Sequence, residues 1–129
     1  MQKIIELYVV IENRPNSAGE LFRILKKKNI SIYAIGLFQD VARLYVSDSK
    51  KAFALLQDNN YVVDEREVLA INLPNHPGAL MELTMKMGNA GINIDYLYGA
   101  LEPKQKKGML ILEVDKPDLA IDIFRSGPY

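Results

Sequence analysis

Residues 13–18 read Asn13-Arg14-Pro15-Asn16-Ser17-Ala18, and residues 75–80 read Asn75-His76-Pro77-Gly78-Ala79-Leu80. The two stretches carry Asn and Pro at the same places, at an offset of 62 (75 − 13). The register then runs on without a gap, with Glu20, Leu21, Ile30 and Ile32 recurring as Glu82, Leu83, Ile92 and Ile94. Apolar periodicity repeats with it. Ala18, Leu21, Phe22 and Leu25 have the i, i+3, i+4, i+7 spacing of one helix face, and Leu80, Leu83, Thr84 and Met87 take the same offsets, with Thr84 breaking the stripe. Upstream, Leu7, Val9 and Ile11 alternate as on one face of a strand, and Leu69, Ile71 and Leu73 do the same. The chain is therefore read as two copies of one unit before any single motif is weighed.

Further along, the offset widens to 68 (112 − 44), where Leu44-Tyr45-Val46 matches Leu112-Glu113-Val114. The added length falls in Glu102-Pro103-Lys104-Gln105-Lys106-Lys107-Gly108, a polar stretch that reads as a mobile hairpin connection: a solvated tip, or else a charged lid or partner contact. The patterns predict strand 3–11, helix 17–28, strands 31–37 and 41–47, helix 49–57 and strand 61–65 in the first copy. In the second they predict strand 67–73, helix 78–89, strands 92–101 and 108–114, and helix 117–125. This is an α+β fold of tandem ferredoxin-like βαββαβ units, each an antiparallel sheet with helices on one face, divided at 1–66 and 67–129. A final strand is missing from the second copy, because Arg125-Ser126-Gly127-Pro128-Tyr129 carries Gly and Pro. Its sheet has three strands or borrows an edge.

Composition narrows the functions. Units of about 62 residues lie near the lower limit for burying a core alone, so the two are expected to lean on each other. The chain is 49% hydrophobic and 25% charged, as ordinary globular proteins are. With 16 basic and 16 acidic residues it lacks the net charge that nucleic-acid or anionic-membrane binding draws on, Lys26-Lys27-Lys28 being a local exception. The absence of cysteine excludes disulfides, thiolate chemistry and Cys-based metal sites, and fits a cytoplasmic location. Residues 4–11 read as a strand interrupted by Glu6, not a signal peptide, and no stretch reaches the roughly 18–20 apolar residues of a membrane span.

The repeated strand-to-helix turn is the candidate site. Pro77 stiffens it, Gly78 lets another molecule approach the backbone, and the amides of Ala79 and Leu80 open a helix whose amino end is partially positive. A carboxylate fits such a place without a basic side chain. These turns, each followed by Asn29-Ile30-Ser31-Ile32 or Gly91-Ile92-Asn93-Ile94, resemble the loop-and-strand signature of the ACT domain, the regulatory module of amino-acid biosynthetic enzymes, over nearly the whole chain as a tandem pair. The resemblance implies amino-acid binding at an interface between paired units, the loop of one facing the second strand of another. It also implies a homodimer, with an enzyme of amino-acid metabolism as a further partner.

Carried over by position, the resemblance matches Asn75 and Gly78 to the loop residues and Asn93 to a strand asparagine that contacts ligand; the candidate site built around them takes in His76, Pro77, Ala79, Leu80, Ile94 and Asp95, the last as an acceptor for an ammonium group. In the first copy the candidate site takes in Asn13, Asn16, Ser17 and Ser31, where Asn16 stands for the glycine and Ser31 for the strand asparagine, so the second site is the more complete. Plainer roles stand beside these: Asn75 as an Asx-type turn, Asn93 and Asp95 as solvent-facing strand residues, and His76, the lone histidine, as a surface residue. Nothing assembles a nucleophile–base pair or a metal shell, so no catalytic residue, metal or cofactor is assigned. The expected function is a non-catalytic amino-acid sensor. The alternative is an RNA-binding module stacking bases on Tyr8 and Tyr45.

Overall fold

The computed structural model describes residues 1–129. Its tertiary contacts divide the chain into Ile5–Arg66 and a second unit made of Met1–Ile4 with Glu67–Tyr129.

In the first unit, β1 (Gln2–Val10), α1 (Ser17–Lys27), β2 (Ile32–Phe38), β3 (Val41–Val46), α2 (Ser49–Asp58) and the start of β4 (Val63–Pro74) follow in turn, with strand order β2-β3-β1-β4. Opposed residues of an antiparallel ladder share a face. Leu7 opposite Leu44 and Val9 opposite Ala42 therefore put four apolar side chains on one side, where Leu21 and Leu25 of α1 and Ala52 and Leu56 of α2 close over them. Asp48 caps α2 by accepting from the Lys51 amide at 3.1 Å. The opposite side of β1 carries a polar cluster. Glu6 is fully buried and accepts from Arg43 Nη1 at 3.0 Å, while the Arg43 and Arg66 guanidinium carbons lie 5.2 and 4.0 Å from the centre of the Tyr8 ring.

In the second unit, α3 (Ala79–Asn89), β5 (Ile94–Gly99), β6 (Lys107–Val114) and α4 (Pro117–Ile123) follow β4, with strand order β1-β4-β6-β5. Leu69, Ile71 and Leu73 meet Leu110 and Leu112 across the sheet and Leu83, Met87 and Phe124 from the helices. The missing strand is borrowed: Met1–Ile4 of β1 flank β4, the place that the start of β4 holds beside β1 in the first unit, where the Val10 amide donates to the Val62 carbonyl at 3.0 Å. Ile4 is buried, Met1 packs on the second core and Lys3 reaches Asp118 at 2.8 Å and Glu67 at 3.5 Å. Those two acidic partners push the Lys3 ammonium above its ordinary pKa, the Asp118 hydrogen bond first.

Two expectations are corrected. The strands predicted at 61–65 and 67–73 are one strand of 12 residues, because Asp64-Glu65-Arg66-Glu67 holds charge but no Gly, Pro or Asn to turn the chain. The buried stripes of α1 and α3 are also rotated by one position at their starts. Ser17, Leu21 and Leu25, and Ala79, Leu83 and Met87, face the cores, whereas Leu80 is 42% exposed. Thr84 is accommodated in α3 by donating back to the Leu80 carbonyl at 2.9 Å.

Candidate ligand-binding loops

Both strand-to-helix loops end in the same backbone. Asn16, with φ 72°, precedes α1, and Gly78, with φ 89°, precedes α3, both left-handed and neither helix capped by a side chain. Glycine has no steric penalty there, and asparagine tolerates the conformation better than other L-residues. Asn29 and Gly91, with φ 58° and 75°, repeat the exchange at the far ends of the same helices. Asn16 is thus a conformational equivalent of Gly78. Neighbouring bonds agree: the Ser17 amide donates to the Arg14 carbonyl at 3.3 Å and the Ala79 amide to the His76 carbonyl at 3.2 Å. The Glu20 amide donates to Asn16, and that of Glu82 to Gly78, both at 2.9 Å.

The amides of Leu80 and Met81 precede that first intrahelical bond, the place where helix amides point outward. A Cβ built on Gly78 would meet nothing within 4 Å, so the backbone is open to an approaching molecule. Gly78→Asn is expected to fold with a stability change under about 0.5 kcal/mol, while Gly78→Val costs about 1–2 kcal/mol through left-handed strain. Urea unfolding of the two variants checks the pair; equal losses would contradict the equivalence.

Asn75 has a role that neither sequence reading anticipated. Its Nδ2 donates to the carbonyls of Glu102 and Gln105, each at 2.9 Å, and its amide donates to the Lys106 carbonyl at 2.8 Å. The inserted loop is tied to the candidate site. His76 is exposed, with Nδ1 3.0 Å from the Pro77 carbonyl. Pro77 is exposed and Ala79 buried.

Asn93 and Asp95 stand elsewhere. The Asn93 amide donates to Asp115 Oδ1 at 2.9 Å and its Nδ2 to Asp95 Oδ1 at 2.8 Å, so the two side chains hold each other. Ile94 pairs with Val114 at the far end of β6, whereas Leu73 and Pro74, leading into the loop, pair with Gly108 and Lys107 at its start. At ~3.3 Å per residue the length of β6 keeps Asn93 roughly 25 Å from the 75–80 loop within this unit. In the first unit Ser31 has the corresponding place, its amide donating to Ser47 Oγ at 3.0 Å. Asn13 and Asn16 are exposed and Ser17 is buried.

Leu80 and Ser17, both expected ligand contacts, each line a cavity near these loops, beside residues that the sequence reading did not single out. In the second unit a cavity of about 300 Å³ is bounded by Leu80, Leu97, Tyr98, Gly99, Leu101 and Leu110. In the first, one of about 370 Å³ lies between the loop, α1 and the turn into β4, with Glu12, Arg14, Glu20 and Tyr61 among its walls. The Glu12 hydrogen bond and charge push the Arg14 guanidinium up, and burial, with the Glu20 charge added, pushes the Tyr61 hydroxyl up.

Comparison with known proteins adds to this geometry. The family model described as ACT domain pair matches residues 2–125. Among curated proteins none matches the chain. Among solved structures, protein BT0572 from Bacteroides thetaiotaomicron is 27% identical with a TM-score of 0.86, covering 96% of this chain and 88% of that one. The regulatory subunit of aspartate kinase from Thermus thermophilus, in a ligand-free form, is 12% identical with a TM-score of 0.67, over 100% of this chain and 99% of that one. E. coli aspartokinase III in complex with lysine and aspartate is 14% identical with a TM-score of 0.63, covering 99% of this chain and 32% of that one. At these identities, the two kinase likenesses speak to fold alone.

Proposed function

Because the chain belongs to the family of paired ACT domains, we propose that it is a non-catalytic regulatory protein whose effector is a free amino acid, its carboxylate received by the amides that open α3. The observation that carries this reading is the uncapped start of α3 behind the left-handed, unobstructed Gly78. Main-chain amides on a helix amino end suit a carboxylate. The related fold of aspartokinase III, whose crystals hold lysine and aspartate, supports the choice of ligand class. The first-unit loop, with Asn13, Asn16, Ser17 and Ser31, has matching backbone and is the weaker site, since Arg14 is already engaged by Glu12.

The separation of Asn93 from the 75–80 loop gives the assembly a role. Strand β5 is an edge of its sheet. A second copy laid antiparallel along it about a two-fold axis brings Asn93, Ile94 and Asp95 of one molecule toward the Gly99 end and loop of the other. The active form is accordingly a homodimer, and an enzyme of amino-acid metabolism reads its ligand-dependent state, provided that the ligand favours one state over the other. No helix is long and apolar enough to cross a membrane; the cysteine-free composition suits the cytoplasm.

A thermal-shift screen of the common amino acids tests the reading. At a ligand concentration 100 times Kd the stabilisation is about 2.7 kcal/mol, enough to raise the midpoint by several degrees. One amino acid, or one chemically related group, is expected to do so. No shift with any of them at millimolar concentration would overturn the proposal.

A further inference from the structure

The cavity beside α3 bears on which amino acid binds. Leu80, Leu97, Leu101 and Leu110 supply four aliphatic walls, from the first turn of α3, the edge strand β5, the residue just before the inserted stretch and β6. Tyr98 and Gly99 complete the lining, and no charged residue is among them. Leu80 and Leu101 are 42% and 37% exposed, so apolar surface is left facing water at the opening. A volume of about 300 Å³ lies at the small end of the ~300–1,000 Å³ range of ligand pockets, which suits one amino acid and not a nucleotide.

Leu80 is the link between cavity and loop. Its side chain lines the cavity while its amide stands at the uncapped start of the helix. A ligand whose carboxylate meets the amides of Leu80 and Met81 therefore has its side chain within reach of the aliphatic walls. Charged side chains lose hydration there without gaining a partner, whereas aliphatic ones gain contact and shed ordered water. In the first unit the positions equivalent to Leu80 and Leu110 are Ala18 (80 − 62) and Ala42 (110 − 68), both smaller residues.

We infer that the second-unit site selects an amino acid with an uncharged aliphatic side chain, of the leucine, isoleucine, valine or methionine class, held in the cavity formed by Leu80, Leu97, Leu101 and Leu110. This rests on the amino-acid reading proposed above.

Calorimetric titration of the full chain with leucine, isoleucine, valine, methionine, alanine, aspartate and lysine is the test. At least one of the four aliphatic ligands is expected to bind about tenfold or more tightly than alanine, aspartate and lysine, within the 10–200-fold that a methylene is worth in such pockets. Leu97→Asp is expected to weaken that ligand tenfold or more. Leu101→Asp, just before the inserted stretch, serves if the first variant does not fold by circular dichroism. Tightest binding of aspartate or lysine, or unchanged aliphatic affinity in a folded variant, overturns the inference and leaves amino-acid binding standing. If a screen of all the common amino acids also gives no binding, both fail.

Discussion

Arg43→Met is expected to lower stability by about 3–5 kcal/mol, the cost of removing one member of a buried ion pair. Glu6 has no solvent exposure, and Arg43 donates to it at 3.0 Å from the neighbouring strand. Methionine keeps much of the arginine stem's volume but withdraws the hydrogen bond and the charge facing the carboxylate. The loss then falls mainly on the carboxylate, with the Arg43 contact to the Tyr8 ring lost beside it. Replacing both partners, with Glu6→Leu added to Arg43→Met, is expected to recover part of the stability, because the buried carboxylate is removed together with its Arg43 partner. Urea denaturation of the two single variants and the double one separates the cases. A single-variant loss below about 1 kcal/mol would show that Glu6 does not depend on Arg43.

Deleting residues 1–4 is expected to cost about 3 kcal/mol or more, concentrated in the unit that contains residues 67–129. Ile4 alone supplies about 1.5–3 kcal/mol if its burial follows the usual transfer scale, and each ladder hydrogen bond beside β4 adds roughly 1 kcal/mol. Met1 packs on the core of Leu69, Ile71, Leu73 and Leu83. Hydrogen exchange read segment by segment distinguishes this from general destabilisation. Amides of β4 beyond Glu67 and of β6 are expected to lose protection first, while those of β3 and α2 hold. Equal loss in both units would contradict the assignment of Met1–Ile4 to the second.

The paired units were legible in the sequence because their signals are local. Helical spacing, strand alternation and the Asn-x-Pro turns each occupy fewer than about a dozen residues, and each occurs twice. What escaped was non-local. The start of β1 carries no mark of the unit in which it pairs, since alternation identifies a strand and not its neighbour. Asn75 looked like a turn or ligand residue, yet its side-chain partners are carbonyls 27 and 30 positions away in the inserted loop. Leu80 fitted the apolar stripe of α3, but the small Ala79 faces the core instead and leaves Leu80 to the cavity.

The site is less legible than the fold for the same reason. Sequence similarity places Asn93 and the 75–80 loop in one list of ligand contacts, and the strand geometry separates them by the length of β6. The tyrosine reading fares differently. Tyr8 has Arg66 4.0 Å from its ring centre and Tyr45 packs edge-on to Tyr33 at 5.3 Å, so the rings proposed for base stacking are already in contact with protein groups.

Amide hydrogen exchange of the full chain, with and without the amino acid that gives the largest thermal shift, tests the central claim most directly. Binding at the start of α3 predicts slowed exchange across residues 78–82, with a smaller effect near Asn93 if a second copy contributes its strand. Ligand-induced protection confined to segments away from both loops, or none at saturating ligand, would contradict it.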